Sequence, residues 1–341
     1  MNNAGQITDV NPRFAIAGGE IAVDCTGFVV DPNGEVDCLV AGEPSDVVAA
    51  SSRRVLARVP DDVDGTVDLV LTSGTDASDP FEIVLGRLIA ENMHIVANPA
   101  IDPKDNSIVL TRSGSRGQEL PHTMYRLETD GYLDELPVEI ANPTSAAFDR
   151  DGRLYVSNRA DGVVCRIERN EDALPYAGSL GVATGIAFDS SGIMFVGDRT
   201  GAIFRIDGPD SSRQFATLEP SVAAYHLAFG PDGRLFVTAP GLASYDGVYA
   251  IGTDGTVATY FRGFGRPQGL AFDREGNLYV AACHRGLHGI VKIEAGGGSA
   301  KTIVAGNNIV GLCFSRAGEM IIATSDSVYS VPMGIYGTLL D

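Results

Sequence analysis

Arginines recur in one kind of loop along this chain, and their placement predicts an anion site. The loops that follow a strand-like run in successive segments carry Arg112, Arg116, Arg159, Arg199 and Arg285. Guanidinium groups form paired hydrogen bonds with carboxylates and phosphates. If the loops meet on one face, the arginines predict a site for a small anion. The alternative is that they are ordinary loop arginines paired with neighbouring carboxylates such as Asp161 and Asp198.

The pair Tyr225–His226, in the segment VAAYHLAFG, supplies the candidate catalytic residues. A neutral imidazole can act as a general base or orient a ligand. A lone histidine packed in the protein interior is the alternative, and it is the more common case. The sequence assigns no partner to His226, although Asp198 or Tyr225 could reach it in principle.

The elements that must position these side chains are repeated. Each copy contains an AFD-like triplet, a tight turn and a second apolar run, as in RPQGLAFDREGNLYVA at residues 266 to 281. The aromatic residue of the triplet recurs at spacings of 40, 41, 43 and 42 residues, at Phe148, Phe188, Phe229, Phe272 and Phe314. A weaker copy places Ile101 at the same position. A period near 40 residues, with several short strands in each unit, predicts a β-propeller.

The repeats resemble NHL repeats and the propellers of the gluconolactonase group, over residues 87 to 341. The resemblance implies six blades of four strands each around a central channel, with ligands bound at one mouth of that channel. It does not imply one activity, because propellers of this kind include binding proteins, lyases and hydrolases.

In the gluconolactonase group a divalent metal is held five residues before the acidic end of the AFD-like triplet. The matching positions of this chain hold Ala97, Thr144, Thr184, Tyr225, Gln268 and Val310. None of these is a carboxylate, whereas Ca²⁺ and Mg²⁺ sites normally need charged oxygen ligands. We therefore predict that the chain needs no cofactor. Binding of a divalent metal, Ca²⁺ or Zn²⁺, stays open as an alternative. The polar members Thr144, Thr184 and Gln268 join the loop arginines as candidate ligand-binding residues.

Residues 1 to 86 form a separate unit of short runs with alternating polarity, such as EIAVDCTGFVV and TVDLVLTSG. The run ITDVNPRFAIAGGEIAVDCTGF resembles the opening of IPT/TIG domains, with Pro12, the pair Gly18–Gly19 and the pair Gly27–Phe28 at the characteristic places. The resemblance implies a small immunoglobulin-like sandwich that acts as a spacer or binding module. The predicted fold is all-β, an immunoglobulin-like sandwich followed by a six-bladed propeller of four-stranded blades.

The charge of the chain argues against two classes of partner. It has 44 acidic and 25 basic side chains, a net charge of −19. Nucleic acids and anionic membranes are both bound mainly through Lys and Arg, so neither is expected as a partner. The first residues lack the pattern of a secretory signal, so the chain as given is expected in the cytoplasm, or outside it if a leader was removed. Five cysteines show no metal-binding spacing, and Cys25 and Cys38 could pair only under oxidising conditions.

Two functions follow from these residues. The first is a non-catalytic propeller that binds a small molecule, with an anion favoured, or a protein partner, with the amino-terminal module as a spacer. The second is a gluconolactonase-like hydrolase or a lyase that acts on a sugar lactone or small anionic substrate. In that alternative His226 and Tyr225 transfer protons while Arg159 and Arg199 hold the anion.

Overall fold

The computed structural model describes residues 5–28, 36–114, 118, 120–169, 171–242 and 245–338. Across these residues the regular structure consists of 33 β-strands, and no helix is present. The predicted all-β class is confirmed. No helix that could cross a membrane occurs in this described part of the chain.

The first nine strands form the amino-terminal module. They are β1 (Gln6–Asn11), β2 (Phe14–Ala15), β3 (Glu20–Thr26), β4 (Val36–Val40), β5 (Glu43–Ala50), β6 (Arg54–Arg58), β7 (Gly65–Ser73), β8 (Asp76–Ala77) and β9 (Phe81–Leu85). Antiparallel pairing links β1, β3, β6 and β5 on one side, and β5, β4, β7 and β9 on the other. Alternate residues of these strands bury a common core that contains the unpaired thiols Cys25 and Cys38.

Four separate antiparallel sheets have four strands each. Three of them follow the chain: β11 (Ala100–Ile101), β12 (Ile108–Thr111), β13 (Met124–Leu127), β14 (Leu133–Glu135); β15 (Pro143–Phe148), β16 (Leu154–Asn158), β17 (Val163–Glu168), β18 (Asp172–Ala177); β19 (Ala183–Phe188), β20 (Met194–Asp198), β21 (Ala202–Gly208), β22 (Ser211–Thr217). The fourth joins β31 (Ile309–Phe314), β32 (Glu319–Thr324) and β33 (Val328–Pro332) to β10 (Arg87–Ala90). An early strand therefore completes the last sheet.

The remaining eight strands make two further antiparallel series: β23 (His226–Phe229), β24 (Leu235–Thr238), β25 (Asp246–Ile251), β26 (Val257–Gly265); β27 (Leu270–Phe272), β28 (Leu278–His284), β29 (Leu287–Ile293), β30 (Ala300–Ala305). Pairing of β26 with β28 connects the two series. Strand β2 runs parallel to both β9 and β30, so these eight strands and the amino-terminal module form one continuous sheet of 17 strands.

The first strand of each series lies at the centre of the carboxy-terminal region. These inner strands are β11, β15, β19, β23, β27 and β31, and each contacts the next one in the chain. Asn98, immediately before β11, accepts from the Leu312 amide at 3.1 Å and donates to the Leu270 carbonyl at 3.0 Å. The start of the series thus meets its end, and the arrangement is propeller-like.

Aspartates close the turns that follow the inner strands. Asp149 Oδ1 accepts from the amides of Asp151 and Arg153 at 2.9 and 2.8 Å. Asp273 Oδ1 accepts in the same way from Glu275 and Asn277 at 3.0 and 2.8 Å. The repeated acidic residue therefore serves turn geometry, as in other Asx-type turns.

The amino-terminal module is tied to the rest of the chain through β2. The Ile16 amide donates to the Ala305 carbonyl at 2.9 Å, and the Ile16 side chain is buried among residues of β28 to β33. The Gly86 amide donates to the Ala15 carbonyl at 2.8 Å. The junction is a shared sheet with a shared core rather than a single linking strand.

Candidate functional site

A central cavity of about 740 Å³ lies among the inner strands. Its wall contains the later residues of each inner strand and the turn after it, for example Ser145 to Arg150 and His226 to Gly233. The exposed turn residues Arg150 and Arg316 stand on its rim. We call this side the turn end of the channel, and the opposite side, where the chain enters the inner strands, the entry end. The cavity opens at the turn end.

Small side chains leave the space for this cavity. Each inner strand contributes one of them: Ala100, Ala147, Ala187, Ala228, Ala271 and Cys313. The next residue along each strand is Phe, or Ile in β11, and it also lines the wall. Because protein interiors are close-packed, a larger side chain at the position of these small residues would fill part of the cavity. The repeat thus encodes an open centre with an apolar lining.

The aromatic residues of the triplets fix one strand series against the next. They pack edge-on against rings of the preceding series, in the pairs Tyr155–Phe188, Phe195–Phe229, Phe236–Phe272 and Tyr279–Phe314. The ring centroids lie 5.4, 5.2, 4.7 and 5.1 Å apart, within the range of favourable aromatic contacts. These contacts pack each inner strand against the preceding strand series.

His226 lines this cavity at the start of β23, far from the turns. Its residue is only 3% exposed, and its Nε2 atom has no hydrogen-bond partner. Burial lowers the pKa of His226 to about 4, so the ring is neutral near pH 7. A neutral imidazole with a free ring nitrogen can form one further hydrogen bond.

Glycines let neighbouring inner strands approach each other closely at the level of His226. A Cβ placed on Gly185 would lie 2.5 Å from the Tyr225 carbonyl oxygen, and one on Gly269 would lie 2.5 Å from Cα of Gly311. Neighbouring inner strands therefore nearly touch at this level. The sequence places His226 at the repeat position of these three glycines.

Tyr225 and the predicted polar ring lie outside the cavity wall. The Tyr225 hydroxyl donates to the Glu219 carbonyl, and burial raises its pKa to about 12. Thr184 Oγ1 donates to the Gly197 carbonyl at 3.0 Å and accepts from the Tyr225 amide at 3.1 Å. Thr144 is buried with no partner for its hydroxyl, and Gln268 is half-buried. The structure therefore does not bring Tyr225 and the His226 ring together around the cavity.

Two of the predicted arginines lie close together at the entry end. Burial lowers the pKa of Arg159, and the nearby charge of Arg199 lowers it further. Arg159 Nη2 lies 3.4 Å from Asn142 Oδ1 and 3.5 Å from the Gly114 carbonyl. The Asp161 carboxylate accepts a hydrogen bond from the Asn158 side-chain amide, and the Asp198 carboxylate accepts one from the Val182 backbone amide.

The other predicted arginines do not join this pair. Arg112 Nη1 donates to the Tyr125 hydroxyl at 3.1 Å. Arg285 lies in a groove against the amino-terminal module, beside Asp24 and Arg54. Arg116 lies outside the described residues. The loop arginines that the structure describes therefore do not form a single cluster.

The side chains present do not fit the divalent metal of the gluconolactonase group. At the matching positions Ala97 and Val310 carry no ligand atom, and the hydroxyls of Thr184 and Tyr225 are directed at backbone carbonyls. Within the described ranges, no three His, Cys, Asp or Glu side chains gather at one point. No reaction step through a metal is derived for this chain.

Comparisons with known proteins agree with the fold. A gluconolactonase from Xanthomonas campestris superposes with a TM-score of 0.59 at 16% identity, covering 80% of this chain and 96% of that one. An auxiliary nutrient binding protein from Bacteroides thetaiotaomicron has a TM-score of 0.56 at 13% identity, covering 96% and 98%. A streptogramin B lyase has a TM-score of 0.51 at 14% identity, covering 78% and 89%.

The chain shares a propeller-like fold with these proteins. Identities this low show the fold alone. No protein-family model matches the sequence. No curated protein matches it either. The residues of the site must therefore carry the argument for function.

His226 stays a predicted site residue, and the sequence did not predict the cavity that it lines. The loop arginines and the repeat positions predicted the ligand at the entry end. The signal for the turn end was the small residue before each triplet aromatic, repeated from Ala100 to Cys313. The small residue before the aromatic is interpreted from the sequence as a core position, and that interpretation does not predict an open space.

Proposed function

We propose that this chain is a binding protein for a small organic anion with an apolar body, which it holds in the central cavity at the turn end. The observation that carries the proposal is the buried, unpartnered Nε2 of His226, a residue of a cavity wall in which the side chains of the inner strands are mostly apolar. A buried polar atom without a partner is costly, and a ligand hydrogen bond would remove that cost. Ligand pockets of this size typically combine an apolar lining with a few placed polar groups.

The rim favours a negatively charged end on the ligand. Asp149 bonds to its own turn, and Asp232 forms an ion pair with Arg234 at 2.7 Å. Arg150 and Arg316 are exposed, and in the part of the chain that the structure describes neither has an ion-pair partner. A carboxylate at the turn end would meet these two guanidinium groups while its apolar body faces the aromatic wall.

We infer the finer architecture from the strand pairings. The series β11–β14, β15–β18, β19–β22, β23–β26 and β27–β30, together with β31–β33 plus β10, support six blades of four strands. The two antiparallel groups of the amino-terminal module support an immunoglobulin-like IPT/TIG domain over residues 1–86, with the propeller over 87–341. The shared strand β2 favours a module that is fixed to the propeller.

The second candidate is a gluconolactonase-like hydrolase or a lyase. It is favoured by the free Nε2 of His226, which is neutral near pH 7 and could accept a proton, but burial lowers its pKa to about 4 and makes it a weaker base than free imidazole. Its weakness is the lack of a second group, because the Tyr225 hydroxyl is bonded to Glu219. A binding role needs only the hydrogen bond from His226, so we prefer it.

A thermal-shift screen tests the proposal. Purified protein is melted with aromatic and aliphatic carboxylates, sugar lactones, sugar acids and divalent metals. A ligand at a hundredfold excess over its Kd raises the free energy of unfolding by about 2.7 kcal/mol. We expect stabilisation by carboxylates with an apolar body, and a smaller effect in the double variant R150Q/R316Q than in the matched control R262Q.

Two results would count against this function. Hydrolysis of a lactone that is lost in His226→Gln would favour the enzyme. Failure of all small molecules to stabilise the protein would contradict a small-molecule site and favour a protein partner.

A further inference from the structure

A second cavity system lies between the amino-terminal module and the hairpin formed by β29 and β30. It consists of two adjoining spaces of about 440 and 510 Å³, which share Asp9, Asn11 and Lys301 in their walls. We call it the junction groove. Its charged lining side chains are Asp9, Arg13, Asp24, Arg54, Arg285, Lys292 and Lys301. Five cations thus face two carboxylates in a chain whose net charge is −19.

The two carboxylates are already neutralised by arginines. Asp9 Oδ1 accepts from Arg13 at 2.9 Å, and Asp24 accepts from Arg54 at 2.6 and 3.1 Å through its two oxygens. Arg13 is the main cause of the lowered pKa of Asp9, and Lys301 contributes least. The positive charges of Arg285, Lys292 and Lys301 therefore lack a dedicated counter-charge among the groove residues.

Lys292 and Lys301 face each other across the hairpin. They are direct partners in the antiparallel register of β29 and β30. Like charges at directly opposed positions destabilise a sheet. The chain contains only three lysines, so two of the three occupy this unfavourable pair. Lys292 Nζ lies 6.0 Å from the centroid of the Tyr279 ring, a cation–π contact that offsets part of the repulsion but supplies no negative charge to the pair.

Arg285 occupies a position that is unfavourable for its backbone. It has φ 51° and is followed by Gly286 with φ 86°, in the two-residue turn between β28 and β29. Positive φ at both central residues defines a type I′ turn, where Asn, Asp or Gly is favoured. A non-glycine residue held at positive φ is strained, and strain of this kind concentrates at functional sites.

We propose that the junction groove is a second binding site, for a small anion that carries at least two negative charges, such as a polycarboxylate or a phosphate ester. Arg285 and Lys301 bind one charged group of the anion. Lys292 and Lys301 bind its other charged group. The ligand supplies the counter-charge that the lysine pair lacks. Because the groove has walls from both β1 and β30, the bound anion also bridges the amino-terminal module and the propeller-like part.

The experiment is calorimetric titration of inorganic pyrophosphate and of citrate into the full chain at constant ionic strength, with melting temperatures for the free proteins. The test variants are Lys292→Gln and Arg285→Asn. The matched control is Arg262→Gln, which removes an exposed positive charge outside the groove. We expect each test variant to weaken binding about tenfold, a loss typical of one charge-assisted contact.

The melting temperature adds a signature that a structural role would not give. Removing one lysine relieves the repulsion, and Asn suits the type I′ turn better than Arg, so both free variants should melt at or above the wild-type temperature. The proposal is overturned if wild type binds neither anion, or if the test variants bind as tightly as wild type. Retained anion binding in R150Q/R316Q would separate this groove from the central cavity.

Discussion

Gly269 and Gly311 lie on adjacent inner strands so close together that a methyl group on Gly269 would meet Cα of Gly311 at 2.5 Å. The Gly269 amide also donates to the Val310 carbonyl at 3.0 Å. This contact holds β27 and β31 close together at the level where the chain enters them. The close approach explains why glycine recurs two residues before the AFD-like triplet. At the same repeat position β23 carries His226, a much larger residue.

The first prediction concerns this close approach. Gly269→Ala should lower the free energy of unfolding by about 1–3 kcal/mol, because the added methyl group overpacks against backbone that cannot move away cheaply. Urea denaturation measures the change. Gly208→Ala is the control, since no atom lies within 4 Å of a Cβ at that position. Equal stability of the two variants would contradict the close approach of the inner strands.

The second prediction concerns His226 and pH. Its pKa is about 4 in the folded protein and about 6.5 in the unfolded chain, so the unfolded state binds the proton more tightly. Stability contributed by the neutral ring is present above pH 6.5 and is lost as pH falls towards 4, by about 3 kcal/mol in total. His226→Leu removes this dependence.

The comparison is made by urea denaturation of both proteins at several pH values between 7 and 4. The difference between wild type and His226→Leu isolates the histidine from the many carboxylates that titrate in the same range. Parallel stability curves would show that the ring is not buried in its neutral form.

The third prediction uses Cys313 as a reporter of the cavity. Cys25, Cys38 and Cys165 are buried, so in a Cys283→Ser variant Cys313 is the one partly exposed residue among the four remaining cysteines. Burial raises the pKa of Cys313, so alkylation should be slower than for a thiol in an unstructured peptide. A ligand in the cavity should slow it further. Rapid labelling that ligands leave unchanged would place the ligand elsewhere.

Some of this structure could be predicted from the sequence because it depends on local patterns. The spacing of Phe148 and its equivalents indicated repeated units, and the Asp-Gly pairs after them indicated tight turns. Both features follow from contacts between residues close in the chain. The all-β class followed for the same reason.

The direction of the cavity could not be predicted in this way. It depends on how closely Gly185 and Gly269 approach neighbouring strands, which is a property of the assembled fold. The position of Arg285 was unpredictable for a similar reason, because the groove that contains it is formed by β1, more than 270 residues earlier in the chain. A loop position alone did not show which neighbour the loop would meet.

The most direct test of the central claim is the affinity of the best ligand from the thermal screen for a cavity-filling variant. Ala147→Leu adds bulk to the ring of small residues, whereas Ala258→Leu adds the same bulk to an exposed position on β26. Calorimetric titration should show binding at least about tenfold weaker in Ala147→Leu, a change of about 1.4 kcal/mol, and unchanged in Ala258→Leu. Equal affinity in wild type and Ala147→Leu would contradict a ligand site in the central cavity.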